Sequence, residues 1–511
     1  MNPGLNFSLT PGFTPMNLIY MYAGLGFALL VLVLLSKSHK LMNCLSITHS
    51  CEYLGLTLYA LLKIPVPYVW SSYFYIDHLS LYEALITAVS FLFASLYARG
   101  YVESLMETRE LHRKNLKIFY AAFNLLLITA TIAVFLDNLA LFWIFTELTT
   151  VCAAVLVAIL SARENIDAAL KYIFIVSGAM LFAFIGLIFL FALSMQAPGT
   201  EGTLNWTLLV KNAAFFSPKL LSVSFVFIFI GFAAKSGVAP FHTWLPDAYK
   251  KAPSVSAILS GLMQNLGMYG LIRVYAIVRQ TEAAAAISWL LIFFGVFSIV
   301  IAVFNMLSQK NLKCLIGFSS VEHMGLLLIG IGAGTKAALF WVLFYTLAHS
   351  FTKEALLFAA GILHRQYRSN RVERITEAFR LQPLASWTLV LSSAAILGLP
   401  PFPMFPAKLF ILLEAARLSQ PLVFVLLLLL VLAAASFGKF LIEALSRRTP
   451  EGREQAPSPA LPENTLQPYV VRPGMKIPMV VMLGLVFSLG FFFPESLENL
   501  LNSIVYELGY I

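Results

Sequence analysis

The chain has 511 residues, 59% of them hydrophobic and only 12% charged, with a mean hydropathy of +0.84. These values exclude a string of water-soluble domains. At roughly 20 apolar residues per crossing, such a chain spans a bilayer about a dozen times or slightly more and has no length left for a large soluble domain. The net charge of +9 is not joined to any recognisable nucleic-acid-binding module, so it is read as a signature of membrane orientation. Cys44, Cys51, Cys152 and Cys314 form no CxxC pair, and neither a metal or iron-sulfur site nor a disulfide framework is expected in this chain. The opening MNPGLNFSLTPGF lacks a basic n-region and a small-residue cleavage site, so the first apolar span is expected to be retained.

In chain order, apolar runs bounded by charges or Pro/Gly predict spans over 17-36, 43-63, 78-98, 117-136, 138-160, 169-194, 221-246, 253-278, 287-307, 312-333, 337-363, 385-416, 420-445 and 477-495. The last is expected either to end there or to continue toward Ile511. Between the thirteenth and fourteenth spans, 446-475 is rich in Pro, Glu and Arg and reads as a linker without a packed core. Fourteen spans place 22 Lys and Arg residues in or beside odd-numbered connections and 6 in even ones. By the positive-inside rule the odd loops are cytoplasmic and both termini lie outside.

Six cations remain within spans. Lys171, Arg273 and Lys439 lie near span ends, where snorkelling to the interface explains them. Lys235, Lys353 and Lys408 lie deeper, and a charge there costs several kcal/mol unless it finds a partner or water. Two spans carry helix breakers at mid-depth: AAKSGVAPFHTWLPDAYKKAP with Pro240 and Pro246, and LGLPPFPMFPAK with Pro400 and Pro401. Prolines free backbone groups that lipid cannot satisfy, so broken helices belong where protein or a water-filled cavity surrounds them. Two breaks five spans apart, each near a lysine, suggest an internal five-helix repeat.

Polar side chains gather in the same region. Thr346, His349, Ser350 and Lys353 share one face of the eleventh span. Ser256, Ser260 and Gln264 recur every four residues in the eighth, with Asn265 beside them. The tenth contributes Ser319, Ser320, Glu322 and His323, and the fifth contributes Glu147 and Thr150. A solute transporter gathers its groups in one midplane pocket, whereas these spread over at least five spans, which favours conduction of a small cation, above all H⁺.

The stretch FAAKSGVAPFHTWLPDAYKKAPSVSAILSGLMQNLGMYGLIRVY, with GFSSVEHMG, AHSFTKEALLFAAG and LGLPPFPMFPAKL, resembles the antiporter-like subunits shared by respiratory complex I, multisubunit cation/proton antiporters and membrane-bound hydrogenases. The resemblance implies an all-α membrane protein of about fourteen transmembrane helices, with two inverted five-helix repeats and broken helices 7 and 12. On it the chain divides into 1-116, the repeats 117-278 and 279-445, the linker 446-475 and a last helix in 476-511. It implies that Glu147 pairs with Lys235 and that His323, His349 and Lys408 belong to a second half-channel. The eighth-helix lysine usual in complex I is replaced by Asn265, with Lys353 nearby on the next polar helix, and this departure resembles the hydrogenase-4 component F branch.

The expectation is therefore a proton-translocating membrane subunit of a redox complex of the hydrogenase-4 or formate hydrogenlyase type, in a prokaryotic plasma membrane. It would hold no catalytic centre or cofactor of its own, with iron-sulfur clusters and a NiFe centre in partner subunits. The rivals are a proton-pumping subunit of complex I, a subunit of a Na⁺/H⁺ antiporter without redox coupling, and a scaffold whose polar residues only pack.

Overall fold

The computed structural model describes residues 15-70, 73-160, 162-198, 201-257, 259-445 and 467-510. The first crossings are α1 (Pro15–Leu35), α2 (His39–Lys63), α3 (His78–Glu107), α4 (Arg113–Val134), α5 (Leu139–Ala158) and α6 (Arg163–Ser194). After the short α7 (Trp206–Asn212), the seventh crossing is split into α8 (Pro218–Ser236) and α9 (Trp244–Lys251), and the eighth ends in α10 (Gln264–Val278). Then come α11 (Ala284–Leu307), α12 (Leu312–Ala333), α13 (Lys336–Tyr367), the short α14 (Ala378–Leu381), the split pair α15 (Pro383–Leu397) and α16 (Met404–Leu418), α17 (Gln420–Leu445), α18 (Pro473–Phe491) and α19 (Glu495–Glu507). One antiparallel hairpin, β1 (Tyr68–Trp70) and β2 (Phe74–Ile76), interrupts the helices.

Eleven described helical segments are long and apolar enough to cross a membrane. With α2, α13 and the α15–α16 pair they account for the fourteen expected crossings. Those three fall outside the apolar set for a physical reason: α2 buries Asn43, Ser46, His49 and Ser50, α13 buries its Thr346-to-Lys353 seam, and α15–α16 is interrupted. Polar groups lower the hydropathy of a helix that other helices shield from lipid. The most enclosed segments are 254-278 and α12, while α1, α17 and α18 form the rim. The outward faces are apolar, as with Phe174 and Phe424.

The two breaks are one device used twice. Gly237 (φ +75°) and Gly398 (φ +78°) close α8 and α15 in the left-handed conformation that glycine adopts without steric cost. In each, the glycine N–H and the next N–H turn back to the helix: Gly237 to Ala234 O and Val238 to Ala233 O, Gly398 to Ala395 O and Leu399 to Ala394 O, at 2.9-3.1 Å. Pro240 and Pro401 follow each glycine at the same spacing. Side chains add to the backbone bonds at the first break: Trp244 Nε1 donates to Ala234 O at 2.9 Å, and Ser298 Oγ accepts from Ala239 N at 3.0 Å. Pro246 lies beyond the break, in the first turn of α9, where a missing N–H costs nothing.

Other boundaries rest on polar groups. Asp137, between α4 and α5, accepts from the N–H and hydroxyl of Thr207, and Asn138 caps α5 by accepting from Ala140 N and Leu141 N. The last span does not continue toward Ile511: α18 ends at Phe491, and after Pro494 the amphipathic α19 returns to the bundle, burying Leu501, Ile504 and Val505. Glu507 bonds His78 at 2.6 Å and holds α19 against α3. The linker 446-475 lies outside the described residues as far as 466.

Arg273 does not snorkel. It is buried and forms a two-pronged pair with Asp77, both contacts at 2.6 Å, while its guanidinium lies 4.5 Å from the Trp206 ring centre and 4.9 Å from that of Tyr269. Asp77 also caps α3 through Ser80, so one carboxylate joins the start of α3 to α10. Removing one partner of a buried pair costs about 3-5 kcal/mol because the other charge is stranded. Asp77→Asn should therefore lower the unfolding temperature and the amount of protein recovered in membranes. An unchanged unfolding temperature would show that the pair does not anchor α3 to α10.

Candidate functional site

Lys235 lies one residue before the end of α8, fully buried, so its ammonium is held at the first break rather than at a helix end near lipid headgroups. All three donors of a lysine ammonium find acceptors on α5: Thr146 O at 2.7 Å, Thr149 Oγ1 at 2.9 Å and Thr150 Oγ1 at 2.7 Å. No direct Glu147–Lys235 ion pair forms: among the described residues, no carboxylate oxygen lies within 4.0 Å of Lys235 Nζ. Threonines of the same α5 turn occupy the positions that the carboxylate would take. Glu147 remains close enough to act on Lys235 through its charge, and its Oε1 is buried without a hydrogen bond.

From this end of α8 the polar groups lead to α10. Gln264 Nε2 donates to Ser236 O at 3.1 Å and Ser236 Oγ donates to Gln264 O at 3.2 Å. The next residue, Asn265, donates through Nδ2 to Ser350 Oγ on α13 at 2.9 Å. The α-helical spacing behind the expected face of Ser256, Ser260 and Gln264 is interrupted, because 254-257 is a 3-10 segment and 259-263 a π turn, and the Ser260 side chain lies outside what the structure describes. Ser256 is buried, and Asn265 is joined to the rest of the site through Ser350 instead.

The second half is a continuous buried cluster. Lys353 donates to Ile316 O at 2.6 Å and to Ser319 Oγ, both on α12. One turn back on α13, His349 has no hydrogen-bond partner on either ring nitrogen, and its ring centre is 5.1 Å from that of His323. His323 Nδ1 meets Tyr345 Oη at 2.6 Å and lies 3.6 Å from Glu322 Oε1. Glu322 pairs in turn with Lys408 at 3.2 Å, and Lys408 also donates to Leu397 O at 3.4 Å, the carbonyl freed at the second break. The two break-associated lysines thus differ: Lys235 precedes its break and takes neutral partners, whereas Lys408 follows its break and takes a carboxylate.

His323, His349, Lys353 and Lys408 are therefore brought together, Asn265 touches the same helix face through Ser350, and Lys235 sits at the far end with Glu147 nearby but not bonded. Sequence reading named Glu322 as a polar residue of the tenth span without giving it a role. Its pairing with Lys408 was discoverable from the requirement that a deep ammonium have a countercharge. Thr149 and Tyr345 were missed, because a hydroxyl in an apolar helix most often serves its own backbone, as Thr346 does with Val342 O. Phe351, expected from its place in the eleventh span to face lipid, is instead buried. Chemically, lysines whose acceptors are hydroxyls, carbonyls and one carboxylate, interleaved with two histidines able both to donate and accept, can hold and hand on a proton.

The family model described as NADH:quinone oxidoreductase/Mrp antiporter, TM, matches residues 137-434. The chain is 30% identical over 369 residues to a hydrogenase-4 component F homolog of Methylacidiphilum infernorum (isolate V4), a match covering 72% of this chain and 76% of that one. It is 28% identical over 309 residues to NADH-quinone oxidoreductase subunit M of Rickettsia prowazekii (strain Madrid E), covering 60% and 61%. Its fold is similar to a chain of the membrane-bound sulfane sulfur reductase, an archaeal respiratory membrane complex, with a TM-score of 0.81 at 21% identity and coverage of 96% and 97%. With its paired broken helices, its buried lysines and this match, the chain belongs to the NADH:quinone oxidoreductase/Mrp antiporter transmembrane family and is an antiporter-like, multi-pass membrane subunit.

Proposed function

We propose that this chain moves protons along the axis of Lys235, Asn265, His349, His323, Lys353 and Lys408, with Glu147 acting on Lys235 through its charge, in a membrane-bound hydrogenase of the hydrogenase-4 or formate hydrogenlyase type. The observation that carries the reading is the unbroken contact series Lys408–Glu322–His323–His349 beside Lys353, all buried. Titratable groups are costly in a membrane interior, and a chain of them joined by hydroxyls is the arrangement a proton relay requires. Electron transfer in partner subunits, which would hold the NiFe centre and the iron-sulfur clusters, biases the charge state at the Lys235 end, and the proton displaced there is passed toward Lys408.

The hydrogenase assignment is supported by the likeness to the hydrogenase-4 component F homolog and by Asn265 standing where the complex I pattern has lysine. The likeness to NADH-quinone oxidoreductase subunit M favours a second reading, a proton-pumping subunit of a complex I. Purification with native partners separates them: nickel with iron-sulfur clusters supports the first, and flavin with quinone reduction supports the second. A preparation with neither points to a cation/proton antiporter. The cation-rich odd loops support a cytoplasmic location for those loops, both termini outside, in a prokaryotic plasma membrane.

Lys235→Met should abolish proton uptake by sealed membrane vesicles while leaving the complex assembled. Retained uptake would remove Lys235 from the path. Glu322→Gln strands the Lys408 ammonium at a cost of about 3-5 kcal/mol unless that group loses its proton, and should lower both stability and pumping. Unaltered stability and unaltered pumping together would show that the pair is not needed. His349→Phe should slow uptake far more than Phe424→Ala on the lipid-facing side of α17, and equal rates in the two variants would count against the histidine relay.

A further inference from the structure

Two buried carboxyl groups outside the axis lack a countercharge. Glu83 on α3 and Glu354 on α13 are both buried, and no cation lies within 4.0 Å of either among the described residues. Both oxygens of Glu354 and Oε1 of Glu83 have no hydrogen-bond partner. A carboxylate so placed is costly, and a carboxyl group that carries its proton is the form such an interior tolerates.

Their helices run side by side in fixed register. Tyr82 Oη donates to Leu343 O, Tyr97 Oη to Phe358 O and Arg365 Nη2 to Ser104 O, each a separation of 261 residues, so α3 and α13 are parallel over most of their length. The π turn 259-263 packs on both helices. At Gly261 a side chain would meet Glu354 Oε1 at 3.2 Å, with Ser350 Cβ and Ser90 Oγ each at 3.5 Å. Glycine there lets the π turn pack closely against one carboxyl and two serines, which converge on this point. At the other end, Glu83 faces the amide of Asn265, which itself bonds Ser350. Asparagine cannot take up a proton near neutral pH, so the titratable group at this place in the structure is Glu83.

The other end of α13 opens on a vestibule of about 560 Å³ lined by Tyr101, Glu110, Lys250, Lys313 and His364, among others. Burial raises the Glu110 carboxyl, but the Arg365 guanidinium at 2.6 Å more than offsets this and holds it below its usual range. The 3-10 segment at 254-257 joins the vestibule to the π turn: Ser254 faces Tyr101, and Ser256 Oγ is buried without a partner.

We propose that Glu354 and Glu83 are further proton carriers, forming a branch that feeds the axis from this vestibule through Gly261, Ser350 and Asn265. The proposal rests on the proton-translocating reading above. In the step, the O–H bond of Glu354 breaks as one forms on a water bridging it to Ser350, the proton passes by way of Ser350 to Glu83 or His349, and Glu354 is reprotonated from the vestibule; no electron moves.

The experiment uses the whole complex in sealed vesicles, driven by the donor on which wild-type vesicles take up protons. Glu354→Gln and Glu83→Gln keep shape but hold no transferable proton, and each should slow uptake by at least about tenfold, whereas Glu354→Asp should restore much of the rate. Glu52→Gln on α2, away from the branch, should leave the rate unchanged. Infrared difference spectra during turnover should contain a protonated-carboxyl C=O band that is lost in Glu354→Gln. Wild-type uptake in both Gln variants, or no such band in the unmutated complex, overturns the proposal. Failure of the underlying reading has a different signature, in which Lys235→Met vesicles also pump normally.

Discussion

An ammonium group placed in a membrane interior must find acceptors for its donors, and the central architecture follows from meeting that demand at three places. Lys235 meets it with one carbonyl and two hydroxyls, Lys353 with a carbonyl and a hydroxyl, and Lys408 with a carboxylate and the carbonyl released at a helix end. Water cannot be assumed inside the hydrocarbon, so each solution ties the lysine's helix to its neighbour: α8 to α5, α13 to α12, and α16 to both α12 and α15. Because the partners are mostly neutral, loss of a proton from Lys235 or Lys353 does not strand a bonded carboxylate, whereas Lys408 is bonded to Glu322.

The broken crossings make this possible. An uninterrupted helix satisfies its own carbonyls, but the Gly-x-x-Pro breaks after α8 and α15 expose backbone groups at mid-depth, where Trp244 and Lys408 use them. Repetition of the same glycine-capped turn in both halves shows common construction. The placement of the lysine on opposite sides of the break shows how the two halves have been given different chemistry. α13 joins them: it carries His349, Ser350 and Lys353 on one stretch and runs parallel to α3 without a break.

The positions of the crossings, the two breaks and the helix carrying His349, Ser350 and Lys353 were legible in the sequence, because apolar length, proline and helical spacing are local properties. Three features were not. The Glu147–Lys235 contact was expected as a direct pair, but which oxygen a lysine reaches depends on side-chain packing that spacing does not encode, and the threonines beside Glu147 reach it instead. The serine face at 256-264 presumed α-helical repetition, and the 3-10 and π turns that replace it have no compositional signature. Arg273 lay near a span end and read as an interfacial cation until the turn before α3 brought Asp77 to it, a contact between residues 196 positions apart.

What remains decisive is water. The axis has protein-to-protein contacts from Lys408 to His349 and from Asn265 to Ser350, and between them a proton needs ordered water. A high-resolution structure of the assembled complex in lipid, with water positions resolved, measures this directly. The account predicts density joining the Lys235 and Thr149–Thr150 group to Asn265, and Ser350 to His349 and Lys353. A tightly packed interior with no water between those groups would contradict it and leave two polar clusters with no proton path between them.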